Sequence, residues 1–276
     1  MKLPDLRNFD LTGKRVLVRV DFDVPLKKVQ SAKCKVQSWE VVDETRIRDS
    51  LQTINHLLSK NAKIVILAHL GRPEGKVIPE LSLEPVVKVL TSLLHRNEVK
   101  PAEDGWQIGE EIFLRENLRF DPGEEVNDPK FAKKLATLGD FYVNDAFAAS
   151  HREHTSIVGL PKLLPHAAGL DLLEEVNVLS GILEKPKRPV VVILGGVKED
   201  KLEVVPRLSA WADCVLIGGK LPSTVQQSVK IIIADLNPEG KDITLETIER
   251  FREIIAKAGT IIWVGPLGRY EGKEGE

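Results

Sequence analysis

Only two cysteines and one methionine occur in 276 residues. Cys34 and Cys214 lie far apart and match no metal-binding or redox spacing, so neither a disulfide framework nor a zinc or thiol-redox motif is present. A chain so poor in sulfur chemistry is expected in a reducing, cytoplasmic compartment. An excess of one charge is lacking too: 39 Lys and Arg stand against 41 Asp and Glu, for a net charge of −2. That balance gives no footprint for nucleic acid or a membrane surface, so any anion site has to be a local cluster of Lys, Arg and His. No apolar run is long enough to span a bilayer, and the opening MKLPDLRNFDLTGKRV has no apolar core of a secretion signal. Aromatic residues make up 5%, whereas 42% hydrophobic and 29% charged residues are ordinary for a soluble globular chain. The GxxxxGK(S/T) and GxGxxG phosphate loops are missing, and no Ser/His/Asp or Cys/His constellation offers a nucleophile.

What is there is a regular alternation of β-rich and helical stretches. RVLVRVDF (15–22), KIVILAHL (63–70), EIFLREN (111–117) and FYVNDAF (141–147) read as strands of the first half. Helical spacing fills 44–60, 82–96 and 128–138, with Ser82/Pro85 and Asp128/Pro129 as start signals. PVVVILGG (189–196), DCVLIGG (213–219), KIIIADL (230–236) and TIIWVGP (260–266) continue the pattern. Between the halves, GLDLLEEVNVLSGILEKPKRP (169–189) is an amphipathic helix running into a Pro- and Lys-rich connector. The expectation is an α/β chain of two doubly wound parallel-sheet domains joined by that helix. They would occupy 1–168 and 189–276 with 169–188 between, the second domain being small, with a thin core.

Ligands of open parallel sheets bind outside the carboxyl ends of the strands. Those ends carry Arg19, Asp21 and Asp23, then His69 and Arg72, then Arg119, then His151, Arg152 and His154, with Arg46 nearby at a helix start. Guanidinium forks pair with phosphate and carboxylate, so such a set suits a small ligand bearing both. A single arginine is more often solvated or salt-bridged, and Asp21 and Asp23 read equally well as partners of neighbouring arginines. The second half ends its strands in glycines, Gly196, Gly219 and Gly265, with Lys198 and Lys201 close behind. That is compatible with a polyphosphate site and also with ordinary turns. An acid half-site and a polyphosphate half-site together suggest phosphoryl transfer, which needs positioning more than a nucleophile.

The ordered series LVRVDFDVPL, DETRI, AHLGRP, LRENLRF, YVNDAFAASHREHTS, ILGGVKEDK, IGGK and WVGPLGRYE resembles phosphoglycerate kinase over nearly the whole chain. The resemblance implies transfer between 1,3-bisphosphoglycerate and ADP, giving 3-phosphoglycerate and Mg-ATP, in glycolysis. It implies a monomer, no nucleic-acid or membrane partner, and magnesium as the ion accompanying the nucleotide. Acid binding falls to Asp21, Asp23, Arg46, His69, Arg72, Arg119 and Arg152, with Arg46 also facing the migrating phosphoryl group. Lys198 resembles the lysine that follows that group, Lys201 the one near the nucleotide phosphates, and Glu271 the ribose-binding carboxylate. Gly196, Gly219 and Gly265 would lie in the nucleotide-binding loops. His151 and His154 would order their loop.

Several positions depart from the family pattern. Asp23 stands where the family has Asn, GGVKEDK is one residue short, and Val264 replaces the Asn of Trp-Asn-Gly-Pro. After IGGK a long helical stretch and a strand are missing, and neither the Gly-Gly-Gly-Asp turn that holds magnesium nor the later glycine loop occurs. Impaired activity is therefore expected, with a weak 3-phosphoglycerate-binding protein or an inactive fragment as the alternative. An uncovered edge near TIIWVGPLG would favour self-association.

Overall fold

The structure is a computed structural model and describes residues 3–30, 37–196, 203–219 and 226–268. The chain forms two compact units, 1–177 and 178–276.

In the first unit, β1 (Arg15–Arg19), β4 (Lys63–Leu67), β7 (Ile112–Arg115) and β8 (Phe141–Asn144) are the apolar runs of the sequence, and they pair in parallel. Before β4 come a two-stranded hairpin, β2 (Leu26–Gln30) with β3 (Gln37–Val41), and two short helices, α1 (Thr45–Asp49) and α2 (Leu51–Ser59). The 44–60 pattern splits into two helices at Ser50, whose hydroxyl turns back to donate to the Ile47 carbonyl at 2.8 Å. Helix α3 (Glu84–Leu93) follows β4, and α4 (Pro129–Ala136) precedes β8. Asp128 caps α4 by accepting from the Lys130 and Phe131 amides at 2.6 and 2.8 Å, as its sequence signal predicts.

The sheet is wider and less uniform than the expected four parallel strands. Its order is β5-β6-β7-β4-β1-β8-β9, with β5 (Val99–Ala102) and β6 (Gly105–Ile108) added antiparallel at one edge. At the other edge, β9 (His166–Ala168) adds three residues in parallel. Every residue of β5 is exposed and one is Pro101, so no alternation marks it as a strand.

Period-two alternation decides which face each side chain takes. Val16 and Val18 of β1, with Ile64 and Ile66 of β4, join the core under α1, α2 and α3. Leu17 and Leu67 point the other way, into a smaller core with Phe131 and Leu135 of α4, Tyr142 and Leu160. The next residue of that parity on β1 is Arg19, and two past Leu67 is His69. The alternation that buries the leucines thus carries an arginine and a histidine inward.

The second unit has four parallel strands in the order β12 (Ile231–Ile233), β11 (Cys214–Ile217), β10 (Val190–Leu194), β13 (Thr260–Val264). All five residues of β10 are buried, split by parity between clusters under α6 (Val205–Trp211) and α7 (Leu245–Ile255). At the edge, β13 leaves Ile261, Trp263 and Val264 exposed.

Helix α5 (Leu170–Glu184) starts in the first unit on borrowed caps. Its first amides donate to Thr53 Oγ1 (from Leu170, 2.8 Å) and to Asp145 Oδ1 (from Asp171 and Leu172, 3.1 and 3.2 Å). Burial raises the Asp145 carboxyl to about 6 against those hydrogen bonds. Burial, then Asp145, Asp49, Glu175 and Glu174, raises Asp171 to about 7. Both folded values lie above the unfolded value of 3.8, so the folded state holds more protons in between. The stabilisation is complete below pH 3.8 and is lost as pH rises through 6 and 7. Asp171→Asn should accordingly change little near pH 4. Above pH 7 it should add about 1 kcal/mol, discounted for partial exposure, or roughly 2–4 °C in Tm. Thermal unfolding of both chains at the two pH values checks this; an equal shift at both would refute it.

Candidate active site

The loops after β1, β4, β7 and β8 meet at the carboxyl edge of the first sheet. Arg19 is fully buried there. Its Nε donates to Ser156 Oγ at 2.9 Å, one terminal nitrogen to the Val20 carbonyl, and the other to His69 Nδ1 at 2.9 Å. Ser156 in turn donates its hydroxyl to Glu124 Oε1 at 2.6 Å and its amide to Oε2 at 3.0 Å. The Tyr142 hydroxyl donates to the Ser156 carbonyl at 2.5 Å. Ser156 sits in a single π turn, Thr155–Gly159, that is mostly buried. Arg19 is therefore a framework residue, not one of four guanidiniums turned toward a ligand.

Arg119 is 2% exposed, and its Nη1 donates to the Gly71 carbonyl at 2.7 Å. Its Nε faces Glu125 Oε1 at 3.3 Å, close enough for an ion pair but not aligned for a hydrogen bond. The Gly71 amide donates to Asp23 Oδ1 at 2.8 Å, and the Asp23 amide to Asp21 Oδ1 at 3.2 Å. One peptide unit on each side of Gly71 thus ties the loop after β1 to the turn after β7. Gly71 needs φ +62, and a Cβ there would stand 2.7 Å from Leu81 Cδ2.

His69 lies inside this frame, 5% exposed, with Nε2 3.8 Å from Asp23 Oδ2. Burial, then the charges of Arg19, Arg119, His154 and Arg152, hold it far below the usual imidazole range. His154 is lowered to about 4 by burial and then by Arg119, Arg152 and Arg19. Both rings are neutral at physiological pH. Arg119 is itself lowered by burial and by Arg152 and Arg19, with Glu125 opposing. These mutual fields bring Arg119, Arg152, His69, His154 and Asp23 into one group. Arg152 is half-buried, while Arg72, one residue past Gly71, is exposed.

Arg46, at the start of α1, pairs with Asp21 Oδ2 at 2.8 Å. The pair lines a cavity of about 220 Å³ with Asp49, Asp145, Asp171 and Glu175. Asp21 has become an arginine partner, and Asp23 a loop tie whose second oxygen faces His69.

In the second unit, Gly196, Gly219 and Gly265 follow three adjacent strands with positive φ of 107, 66 and 81°. A Cβ on Gly219 would fall 2.5 Å from the Gly196 carbonyl oxygen, and its N–H already donates to the Leu267 carbonyl at 2.9 Å. These glycines lock three loops together at the sheet edge. Lys198, Lys201 and Glu271 lie outside the described residues.

Sequence reasoning missed Glu124 and Ser156 as the inner support of the cluster. The usable signal was parity: Arg19 shares the face of Leu17, so it had to be buried and partnered. A family model described as "Phosphoglycerate kinase" matches residues 6–236. The chain belongs to the phosphoglycerate kinase family.

The phosphoglycerate kinase of Dictyoglomus turgidum is 38% identical, with 97% of this chain and 80% of that protein covered. That of Moorella thermoacetica is 37% identical, covering 96% and 81%. Among solved structures, the phosphoglycerate kinase of Pyrococcus horikoshii superposes with a TM-score of 0.80 at 26% identity, covering 99% of this chain and 83% of that one. The first alignment runs over 332 positions, more than the 276 residues present here, so that relative carries internal segments this chain lacks. The family match itself stops at residue 236, ahead of α7 and β13.

Gly71→Ala should test the tie between loops. A side chain at this left-handed position costs about 1–2 kcal/mol before any contact with Leu81. Denaturant unfolding should show at least that loss, and 3-phosphoglycerate affinity should fall with it as Asp23 and Arg119 shift. A substitution neutral in both measurements would refute this account.

Proposed function

We propose that this chain transfers a phosphoryl group between 1,3-bisphosphoglycerate and ADP, giving 3-phosphoglycerate and ATP. The observation that carries the reading is one basic group at the carboxyl edge of the first sheet, with Arg119, Arg152, His69 and His154 within each other's fields. It stands in a chain of the matching family. Residues 1–168 hold the acid, 169–188 connect, and 189–276 hold the nucleotide. Arg72, Arg119 and Arg152 take the phosphate and carboxylate of the acid through charge-assisted hydrogen bonds, His69 adds a neutral donor, and Asp21 and Asp23 shape the loop. Gly196, Gly219, Gly265, Lys198, Lys201 and Glu271 are assigned to the nucleotide.

In the forward direction a terminal oxygen of ADP attacks the acyl phosphate phosphorus. The bond to the glycerate carboxyl oxygen breaks, and that carboxylate leaves with the electron pair. No proton has to be removed, so positioning and charge neutralisation carry the catalysis. Arg46 is suited to the migrating group because its own side chain is about half exposed, anchored by a pair with the mostly buried Asp21. Among the described residues no group of three or more His, Cys, Asp or Glu side chains is placed to hold a metal. We assign magnesium, as the family resemblance implies, to the nucleotide phosphates as part of the substrate. No described helix is long and apolar enough to cross a membrane. From the family and the chain's poverty in cysteine we assign the activity to the cytoplasm.

A coupled assay of ATP formation from 1,3-bisphosphoglycerate tests the reading, with turnover as the expected result. Arg152→Ala should weaken 3-phosphoglycerate binding by about 10- to 150-fold, the loss of one charge-assisted hydrogen bond. Arg46→Ala should lower kcat more than affinity. Tight acid binding without turnover would reduce the chain to a binding protein, and equal small effects at both arginines would make the cluster a solvated surface. The exposed edge of β13 also supports self-association. Trp263→Ser should shift a concentration-dependent elution volume toward the monomer; an unchanged volume would count against that edge.

A further inference from the structure

We propose that the buried series Glu124, Ser156 and Arg19 fixes His69 as a neutral ring whose Nε2–H faces the anionic ligand, so that the protein's side of acid recognition contains no titrating histidine. The inference rests on the acid-binding reading above and names the residues that prepare one of its donors.

A guanidinium has five N–H donors and no acceptor. Arg19 Nη2 lies 2.9 Å from His69 Nδ1, so that ring nitrogen has to accept and carries no proton. The single proton of the neutral ring is then on Nε2. Asp23, the nearest carboxylate to that atom, stands 3.8 Å away, beyond hydrogen-bond reach. Arg19 cannot turn away, because its Nε is held by Ser156 Oγ at 2.9 Å and its Nη1 by the Val20 carbonyl. Ser156 accepts from Arg19 and donates to Glu124 Oε1 at 2.6 Å, so its one hydroxyl proton has one direction. Arg19 and Glu124 are both fully buried, with the Ser156 hydroxyl between them; burial pushes the Glu124 carboxyl up, against Arg19 and the two hydrogen bonds from Ser156. The series is a set of positioning residues acting through His69.

The groups facing His69 come from every neighbouring segment. Arg19 ends β1, Asp23 follows it, Arg119 lies in the turn after β7, and Arg152 and His154 follow β8. Cations outnumber the one carboxylate, so a proton on Nδ1 would have to enter against three guanidiniums and displace a hydrogen bond. A neutral donor adds direction to the site without adding repulsion to the arginines that carry its charge.

The test is two-bond nitrogen–proton correlation of the histidine rings in the full chain, with His69 assigned by the signal lost in His69→Gln. The expected result is an Nε2–H tautomer that does not change between pH 5.5 and 8. Arg19→Met removes the donor to Nδ1 but leaves the burial and the charges of Arg119 and Arg152, so the ring should stay neutral and populate the Nδ1–H tautomer as well. 3-Phosphoglycerate has a phosphate that itself titrates near pH 6, so the quantity read is the ratio of variant to wild-type Kd. That ratio should be raised about 2- to 10-fold at both pH 5.5 and pH 8, the loss of one oriented neutral hydrogen bond. If Arg19→Met does not fold, the wild-type spectrum decides alone: an Nδ1–H tautomer, or a His69 that titrates in the wild type, overturns the inference. A fixed tautomer in a chain that binds no 3-phosphoglycerate overturns the acid-binding reading and the ligand role of His69 with it. Acid binding with a titrating His69 overturns only the inference.

Discussion

A guanidinium withdrawn from water costs several kcal/mol unless its N–H groups are met and its charge is balanced. Arg19, at the end of β1 inside the first sheet, is withdrawn completely. The demand reaches well beyond one residue. It places Ser156 beneath the guanidinium and Glu124 behind Ser156, and it orients His69 beside them. The segment that supplies Ser156 also contains Arg152 and His154, so satisfying a buried charge fixes the backbone that carries site residues. The turn after β7 is drawn in separately, through Arg119 and the Gly71 carbonyl.

That constraint explains why the site is built inward from the strand ends. Arg119 and His69 are nearly as buried as the core, whereas Arg72 and Arg46 are exposed and Arg152 is intermediate. Residues with backbone or buried partners are set in place before any ligand arrives. The exposed arginines keep rotamer freedom, which suits groups that must follow a substrate or a migrating phosphoryl group. Asp23 fits the same division. Its Oδ1 accepts the Gly71 amide, so the extra negative charge at a position where the family has Asn is partly spent on the loop.

The four apolar strands of the first half and the Asp128 cap of α4 were legible because burial and capping write themselves into residue order, whereas α3 has Leu83, one residue past the expected Ser82, at its N-cap position, with no side-chain cap there. Ile64 and Ile66 in one face and Leu67 in the other need only alternation to be read. The β2–β3 hairpin was not legible: LKKVQ is polar, and its pairing rests on a backbone ladder. The β5–β6 hairpin escaped for the same reason, an exposed strand with a proline. In the site, residue types at strand ends marked a basic cluster, but only parity separates Arg19, which points into the α4-side core, from arginines left for a ligand. Glu124 and Ser156 carried no sequence signal of their own, since a glutamate in a loop and a serine after a threonine are ordinary surface residues until a buried cation calls for them.

The two units differ in how much apolar packing supports their ligand-facing edges. In the first, cores on both faces of a seven-stranded sheet stand behind the loops. In the second, β10 and β11 together carry most of the buried core among the described residues, and the loops are held by backbone contacts among glycines. Gly219 packs against Gly196 and donates to Leu267, so the β10, β11 and β13 ends brace one another where side-chain packing is thin. Such bracing sets the loops closely together but has little reserve: any side chain at Gly219 would collide with backbone, which cannot move aside as a flexible side chain can. Changes of equal size should therefore be felt differently in the two halves. The first can lose a surface arginine and keep its frame, whereas a single methyl group at Gly219 would force apart the loop ends proposed to meet the nucleotide.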